Sequence, residues 1–84
     1  METAKKFTAE RIEAVLRKLD SREFGFVLRV KGIVPAEDGS WIHFDYVPGE
    51  PDVRVGAADI TGRLCVIGAG LDKAAIAALF GAEA

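Results

Sequence analysis

Two strand-like runs separated by a short polar connector constrain this chain more than any other feature. Residues 26–34 and 41–47 are rich in β-branched and aromatic residues. The connector at 35–40 supplies the proline, aspartate and glycine that turns require. The sequence therefore predicts a long antiparallel β-hairpin, around which the remaining elements are arranged.

The composition of the two arms also predicts how they pair. If Val30 lies opposite Phe44, apolar side chains collect on one side of the hairpin and charged side chains on the other. A slip of one residue would mix the two sets. The predicted apolar side contains Phe26, Leu28, Val30, Ile42, Phe44 and Tyr46, with Gly32 opposite Ile42. The other side pairs Arg29 with Asp45, Lys31 with His43, and Ile33 with Trp41.

Helix signals flank the strand region. Thr8 is a suitable N-cap for a first helix that ends near residues 20–21, and Asp72 is a suitable N-cap for a second helix. Gly81 is suited to the position just after that second helix. Both helices carry one apolar stripe at helical spacing. The stripes are Ile12, Val15, Leu16 and Leu19 in the first helix, and Ala75, Ile76, Leu79 and Phe80 in the second.

The later strands complete the predicted fold. Pro48 and Pro51 interrupt the chain after the hairpin, and residues 52–55 are interpreted as a short third strand or edge continuation. Residues 63–68 are a nearly continuous apolar run, which predicts a strand buried on both sides. The predicted fold class is α+β: a two-layer sandwich with a mainly antiparallel sheet of three to four strands and two helices on one face. We expect residues 1–84 to form a single domain.

Composition excludes several classes of function. The 84 residues include 13 acidic and 11 basic side chains, with the two signs interspersed and a net charge of −2. Nucleic-acid and anionic-membrane binding depend on a clustered positive surface, so neither partner is expected. No apolar run approaches the roughly 18 to 20 residues of a membrane span, and the first residues lack the apolar core of a signal peptide. We therefore expect a cytoplasmic protein.

The stretch at 65–75 has the outline of a dinucleotide-binding turn, because a strand leads through Gly68 and Gly70 into a helix. Lys73 occupies the position where a third small residue allows close packing of helix on strand. Asp72 places a carboxylate on the amides that a pyrophosphate would need. The preferred interpretation is a self-capped helix entered through a flexible turn, and no cofactor is expected.

Side chains suited to catalysis or metal binding are few. His43 is the only histidine and Cys65 the only cysteine, and no nucleophile–base arrangement is recognisable, so the chain is not expected to be an enzyme. Cys65 is expected to be buried and to act in packing. His43 and Asp45 are weak metal candidates because two ligands do not make a site. The alternative for His43 is a half-exposed position in a charged patch.

The second side of the hairpin has the composition of a docking surface, because aromatic and aliphatic groups lie among charged ones. The predicted interaction face consists of Arg29, Lys31, Trp41, His43 and Asp45. A protein partner is one explanation, and cover by a loop or a further segment of the same protein is another. Simple local packing is the third.

The order and spacing of three motifs resemble the C-terminal domain of CobW-type GTPases. They are Leu28-Arg29 with Lys31-Gly32, the hydrophobic strand at 41–44, and Ile67-Gly68 with Leu71-Asp72 leading into the last helix. This resemblance implies an α+β module behind a P-loop GTPase domain in proteins of metal delivery, including cobalamin synthesis, zinc homeostasis and metalloenzyme activation. The sequence contains no phosphate loop and no cysteine-rich metal motif, so GTP hydrolysis is not carried over. The resemblance implies a protein partner, either the GTPase domain or a client metalloprotein.

Overall fold

The computed structural model describes residues 1–82 and places two helices against one face of a five-stranded antiparallel sheet. The helices are α1 (Ala9–Lys18) and α2 (Lys73–Leu79), and a short 3₁₀ turn spans Arg22–Phe24. The strands are β1 (Glu2–Thr3), β2 (Phe26–Pro35), β3 (Trp41–Val47), β4 (Glu50–Gly56) and β5 (Gly62–Ala69). In this described part of the chain, neither helix is long and apolar enough to cross a membrane.

The predicted helix caps are confirmed. The Thr8 hydroxyl accepts the N–H of Arg11 at 3.1 Å, and the Asp72 carboxylate accepts the N–H of Ala75 at 3.1 Å. Gly81 follows α2 with a φ of 59°, a conformation that glycine adopts at little cost. Helix α1 ends at Lys18, slightly earlier than predicted, and Leu19 caps it. Each helix therefore begins with a side chain that satisfies an otherwise free backbone N–H.

The hairpin forms as predicted, but its register differs by two residues. Val30 pairs with Tyr46 rather than with Phe44, and Gly32 pairs with Phe44 rather than with Ile42. Pro35 belongs to β2, and the loop is closed by a hydrogen bond of 2.8 Å from the Ala36 N–H to the Ser40 carbonyl. Because side chains alternate with a period of two, this shift leaves the paired residues from Val30 onward on their predicted sides.

Gly32 explains why this register is favoured. A Cβ at Gly32 would lie 2.4 Å from Cζ of Phe44, so the aromatic ring occupies the space that the glycine leaves. The ring also stacks on Phe80, the residue that caps the end of α2, with centroids 5.8 Å apart and an angle of 6° between the planes. The pairing of glycine with an aromatic ring therefore ties the hairpin to the second helix.

The first residues of β2 depart from the predicted faces. Phe26 and Leu28 were expected in the core, yet they are 42% and 48% exposed, whereas Val27 is buried. The pairing of β2 with β5 shifts by one residue between Val27 and Arg29, which is a β-bulge. A bulge inserts one unpaired residue and reverses the side to which the preceding residues point. The expectation for Phe26 and Leu28 is therefore wrong.

The sheet has more strands than predicted, in the order β1-β5-β2-β3-β4. Strand β4 begins at Glu50 and continues through Pro51, so the prolines do not end the ladder as expected. A proline is tolerated here because β4 lies at the edge of the sheet. Residues 57–61 then carry the chain back across the sheet, and β5 pairs with β2. The last four strands thus have the order of a Greek key.

Strand β5 is covered on one side only, which corrects a second expectation. Leu64 is buried, but Cys65 is exposed and Ile67 is 55% exposed. The cause is that both helices contribute to a single core on one face of the sheet, so within residues 1–82 neither helix shields the apolar side chains that point the other way. The buried core consists of Phe7, Ile12, Val15, Leu16, Leu19, Val27, Val30, Val34, Ala36, Ile42, Phe44, Tyr46, Leu64, Ile76 and Phe80. The predicted α+β class is confirmed.

Candidate interaction surface

All five residues of the predicted interaction face lie on the side of the sheet opposite the helices, here called the outer face. Trp41, His43 and Asp45 alternate with the buried residues of β3, so they point away from the core. Lys31 is the register partner of Asp45, and Arg29 lies two residues before Lys31 on β2. Arg29 and Lys31 are exposed, and the three residues on β3 are half-buried.

The charged residues of the outer face pair differently from the prediction. Asp45 does not pair with Arg29; its carboxylate contacts the guanidinium of Arg54 on β4 at 3.0 Å. Arg54 also contacts Asp52 at 2.9 Å. The predicted pairs of Lys31 with His43 and of Ile33 with Trp41 are also wrong, because Ile33 faces His43 and Pro35 faces Trp41. Exposed ion pairs of this kind contribute little to the free energy of unfolding. Their main effect here is to hold the charged groups of Asp45, Asp52 and Arg54 in place on the outer face.

His43 holds residues 57–61, here called the crossover, to the outer face. Its Nε2 lies 2.8 Å from the carbonyl oxygen of Ala57, so in the neutral ring this nitrogen carries the proton. The ring lies over Gly56, where an added Cβ would be 2.4 Å from Cδ2 of the imidazole. His43 is therefore half-buried, and its ring is engaged by the crossover.

Asp59 holds the same crossover from its other end. Its carboxylate accepts the backbone N–H of Ile60 at 2.7 Å and contacts Arg63 at 2.8 Å. The bond from Ile60, with further contributions from Arg63, lowers the pKa of the Asp59 carboxyl below its ordinary value. The crossover is thus held at the end of the outer face where β4 ends and β5 begins. The opposite end, around the first residues of β2, is here called the free end.

The free end of the outer face carries several exposed apolar side chains. The bulge turns Phe26 and Leu28 outward, and Ile67 is the register partner of Arg29 on β5. Val47, at the corresponding end of β3, is 40% exposed. The guanidinium of Arg22 lies 4.6 Å from the centroid of the Phe26 ring, which places a cation on this aromatic side chain. The free end therefore combines exposed apolar groups with arginine.

A shallow open groove of ≈ 410 Å³ crosses the outer face between β2 and the β1–β5 pair. It is lined by Met1, Glu2, Lys31, Gly32, Ile33, Arg63, Leu64 and Cys65. Sequence reasoning missed this groove because it placed Cys65 in the core. One signal for the groove was available: Leu64 and Val66 alternate with Arg63 and Cys65, which is typical of a strand with one exposed side. The alternation is hard to recognise because nearly all residues of the run are apolar.

Residues 1–82 contain no group of three or more histidine, cysteine, aspartate or glutamate side chains arranged to hold a metal ion. Of the two weak candidates, Asp45 is engaged by Arg54 and His43 contacts the Ala57 carbonyl. Asp72, in the glycine-rich turn, caps its own helix. A metal role for His43 and Asp45 stays a prediction.

Comparison with known families identifies one match over nearly the whole chain. Residues 1–83 match the family model described as "Cobalamin synthesis protein cobW C-terminal domain". No curated protein and no solved structure matches the chain.

Proposed function

The chain belongs to the CobW C-terminal domain family, and from this membership we propose that it is the non-catalytic C-terminal module of a CobW-like, GTP-dependent metal-delivery protein. In this role its outer face binds a protein, either a CobW-type GTPase domain or a client metalloprotein. The role belongs to cobalamin biosynthesis or metal homeostasis in the cytoplasm.

One observation carries this proposal: apolar side chains lie exposed among charged ones on a sheet face that neither helix covers. Leu28, Val47 and Ile67 are 40% to 55% exposed, and Arg29 lies among them on the same face. Surface patches in which large apolar groups are interspersed with arginine and aromatic residues are typical of protein interfaces. Trp41 and Arg29 are the residue types that most often dominate the binding energy.

The test measures association with a purified CobW-type GTPase domain, loaded with GTP or GDP. We expect Arg29→Glu and Trp41→Ala to weaken binding at least about tenfold, which corresponds to about 1.4 kcal/mol. Glu13→Ala is the matched control, since Glu13 is an exposed residue of α1 on the opposite side of the molecule. Thermal unfolding monitored by circular dichroism verifies that each variant is folded. Equal affinities of the folded Arg29 and Trp41 variants and of the unchanged protein would refute the proposal.

A further inference from the structure

The two edges of the sheet differ in how they are protected. Strand β4, at one edge of the sheet, carries Glu50, Pro51, Asp52 and Arg54. Charged residues and proline prevent further strands from pairing with an edge. At the opposite side of the sheet, β1 is paired with β5 only at Arg63 and Gly62. The rest of β5, residues 65–69, contains no charged residue and no proline. This segment is here called the open edge.

The hydrogen bonds of Met1, which directly precedes β1, show which backbone groups the open edge presents. The Leu64 N–H donates to the Met1 carbonyl at 2.9 Å, and the Met1 amino group donates to the Leu64 carbonyl at 3.0 Å. Successive residues of a strand direct their backbone groups to alternate edges, so those of Val66 and Gly68 point to the same side as those of Leu64. Within residues 1–82, no loop, cap or side-chain hydrogen bond engages the N–H of Val66 or Gly68.

An apolar groove runs beside these backbone groups. It has a volume of ≈ 360 Å³ and lies between β5 and α2. Its lining residues are Met1, Leu64, Cys65, Val66, Leu71, Lys73 and Ile76. A strand added to β5 would direct every second side chain toward this groove, because side chains alternate across a sheet. Backbone pairing and a pocket for alternate side chains are together the requirements of recognition by strand addition.

We propose that the open edge of β5 binds an extended segment of the protein partner as an added strand, antiparallel to β5 and in line with β1. The segment has an apolar residue at every second position, which fills the groove beside α2. This inference rests on the proposed function, since it assigns to the same partner a second contact that continues from the outer face around the sheet edge.

A second copy of this chain suits the groove less well. In a twofold pairing of β5 with itself centred on Ile67, Gly68 of one copy would lie opposite Val66 of the other. Glycine has no side chain to place in the groove lined by Leu71 and Ile76. The geometry therefore favours a different segment, one with a side chain at this position.

The test uses the whole chain labelled with ¹⁵N and a short acetylated peptide of alternating valine and threonine residues. We expect saturable shifts of the Val66 and Gly68 amide signals and about tenfold slower hydrogen exchange at both. The matched control peptide has the same sequence with alternate backbone amides N-methylated, and it should produce neither effect. Shifts confined to the outer face or to β4, or equal effects of the two peptides, would overturn the proposal.

Two variants make the test specific to the edge. Val66→Pro removes the outward-facing N–H while leaving the pairing with β2, and it should abolish the response to the peptide. Val66→Ala shortens the same side chain but keeps the N–H, so it should retain the response at Gly68. If Val66→Pro does not fold, the proposal is decided by the different responses of the unchanged protein to the two peptides. Sedimentation without peptide completes the design, since a dimer with protected Val66 and Gly68 amides would make a second copy the occupant and overturn the proposal.

The two proposals fail in different ways. If the GTPase domain binds through Arg29 and Trp41 but the peptide does not bind, the outer face keeps its role and the open edge loses its role. If the peptide binds to Val66 and Gly68 but the GTPase domain and client proteins do not bind, strand addition stands and the partner must be of another kind.

Discussion

The hydroxyl of Tyr46 donates a hydrogen bond to Oδ1 of Asp20, which joins strand β3 to the segment that follows α1. The same carboxylate oxygen accepts the N–H of Gly49 at 2.9 Å. Burial, together with the bond to Asp20 and the charge of its carboxylate, raises the pKa of Tyr46 to about 12. The bond from Tyr46 and that from Gly49 lower the pKa of Asp20 below its ordinary value.

These opposite shifts predict that stability falls at both ends of the pH scale. Because the pKa of Asp20 is lowered by folding, its contribution is present above about pH 3.9 and is lost as the pH falls through the folded value. The pKa of Tyr46 is raised, so its contribution is complete below about pH 10 and is lost as the pH rises toward about 12. Denaturant unfolding at a series of pH values measures both losses.

Tyr46→Phe isolates this pair, because Tyr46 is the only tyrosine of the chain. In this variant we expect a lower stability at neutral pH and a smaller decline between about pH 10 and 12. If the variant and the unchanged protein lose stability equally over that range, the hydrogen bond does not hold Tyr46 in its protonated form.

Gly32→Ala tests whether the ring of Phe44 fixes the hairpin register. The new Cβ would lie 2.4 Å from Cζ of Phe44 and 2.9 Å from both Cε atoms, and the stacked ring of Phe80 limits how far the Phe44 ring can move. Overpacking of this kind typically destabilises by about 1 to 3 kcal/mol. Combining Gly32→Ala with Phe44→Leu should cost less than the sum of the two single changes. Additive costs, measured by urea unfolding, would show that the two residues do not compete for the same space.

Zinc titration tests the alternative role of His43 and Asp45. We expect no shift of their NMR signals below millimolar zinc, because the His43 ring contacts Ala57 and the Asp45 carboxylate is engaged by Arg54. Arg54→Ala frees that carboxylate and serves as the sensitised control. Saturable shifts of His43 and Asp45 in the unchanged protein at micromolar zinc would support the metal-handling role instead.

Alternation determines which parts of the hairpin were predictable. Residues 42–46 of β3 alternate between apolar and polar side chains, so the faces of Trp41, His43 and Asp45 follow from the sequence in any register that is shifted by an even number of residues. The register itself depends on Pro35 being paired and on Gly32 making room for a ring, and both are properties of the folded neighbours. A pattern of apolar and charged rows cannot distinguish registers that differ by two residues.

The misplaced residues lie where alternation is absent. Residues 26–28 are all apolar, so the bulge that turns Phe26 and Leu28 outward leaves no pattern in the sequence. Residues 64–67 are likewise apolar on both sides, and only the number of helices available to cover them decides that Cys65 is exposed. The open edge could not be predicted either, because it depends on how far the short strand β1 extends along β5.

Thr3→Val tests how strongly β1 is tied to the second helix. Thr3 is buried, and its hydroxyl lies 2.9 Å from the carbonyl of Phe80 and 3.1 Å from that of Gly81 while accepting the N–H of Lys5. Valine has nearly the same shape but no hydroxyl, so the groups at the end of α2 and at Lys5 lose this partner. We expect a loss of about 1 to 3 kcal/mol in the free energy of unfolding, with faster amide exchange at Leu64. Thr61→Val, at an exposed position, should change stability by no more than about 0.5 kcal/mol. Equal effects of the two substitutions would mean that the Thr3 hydroxyl does not hold β1 and α2 together.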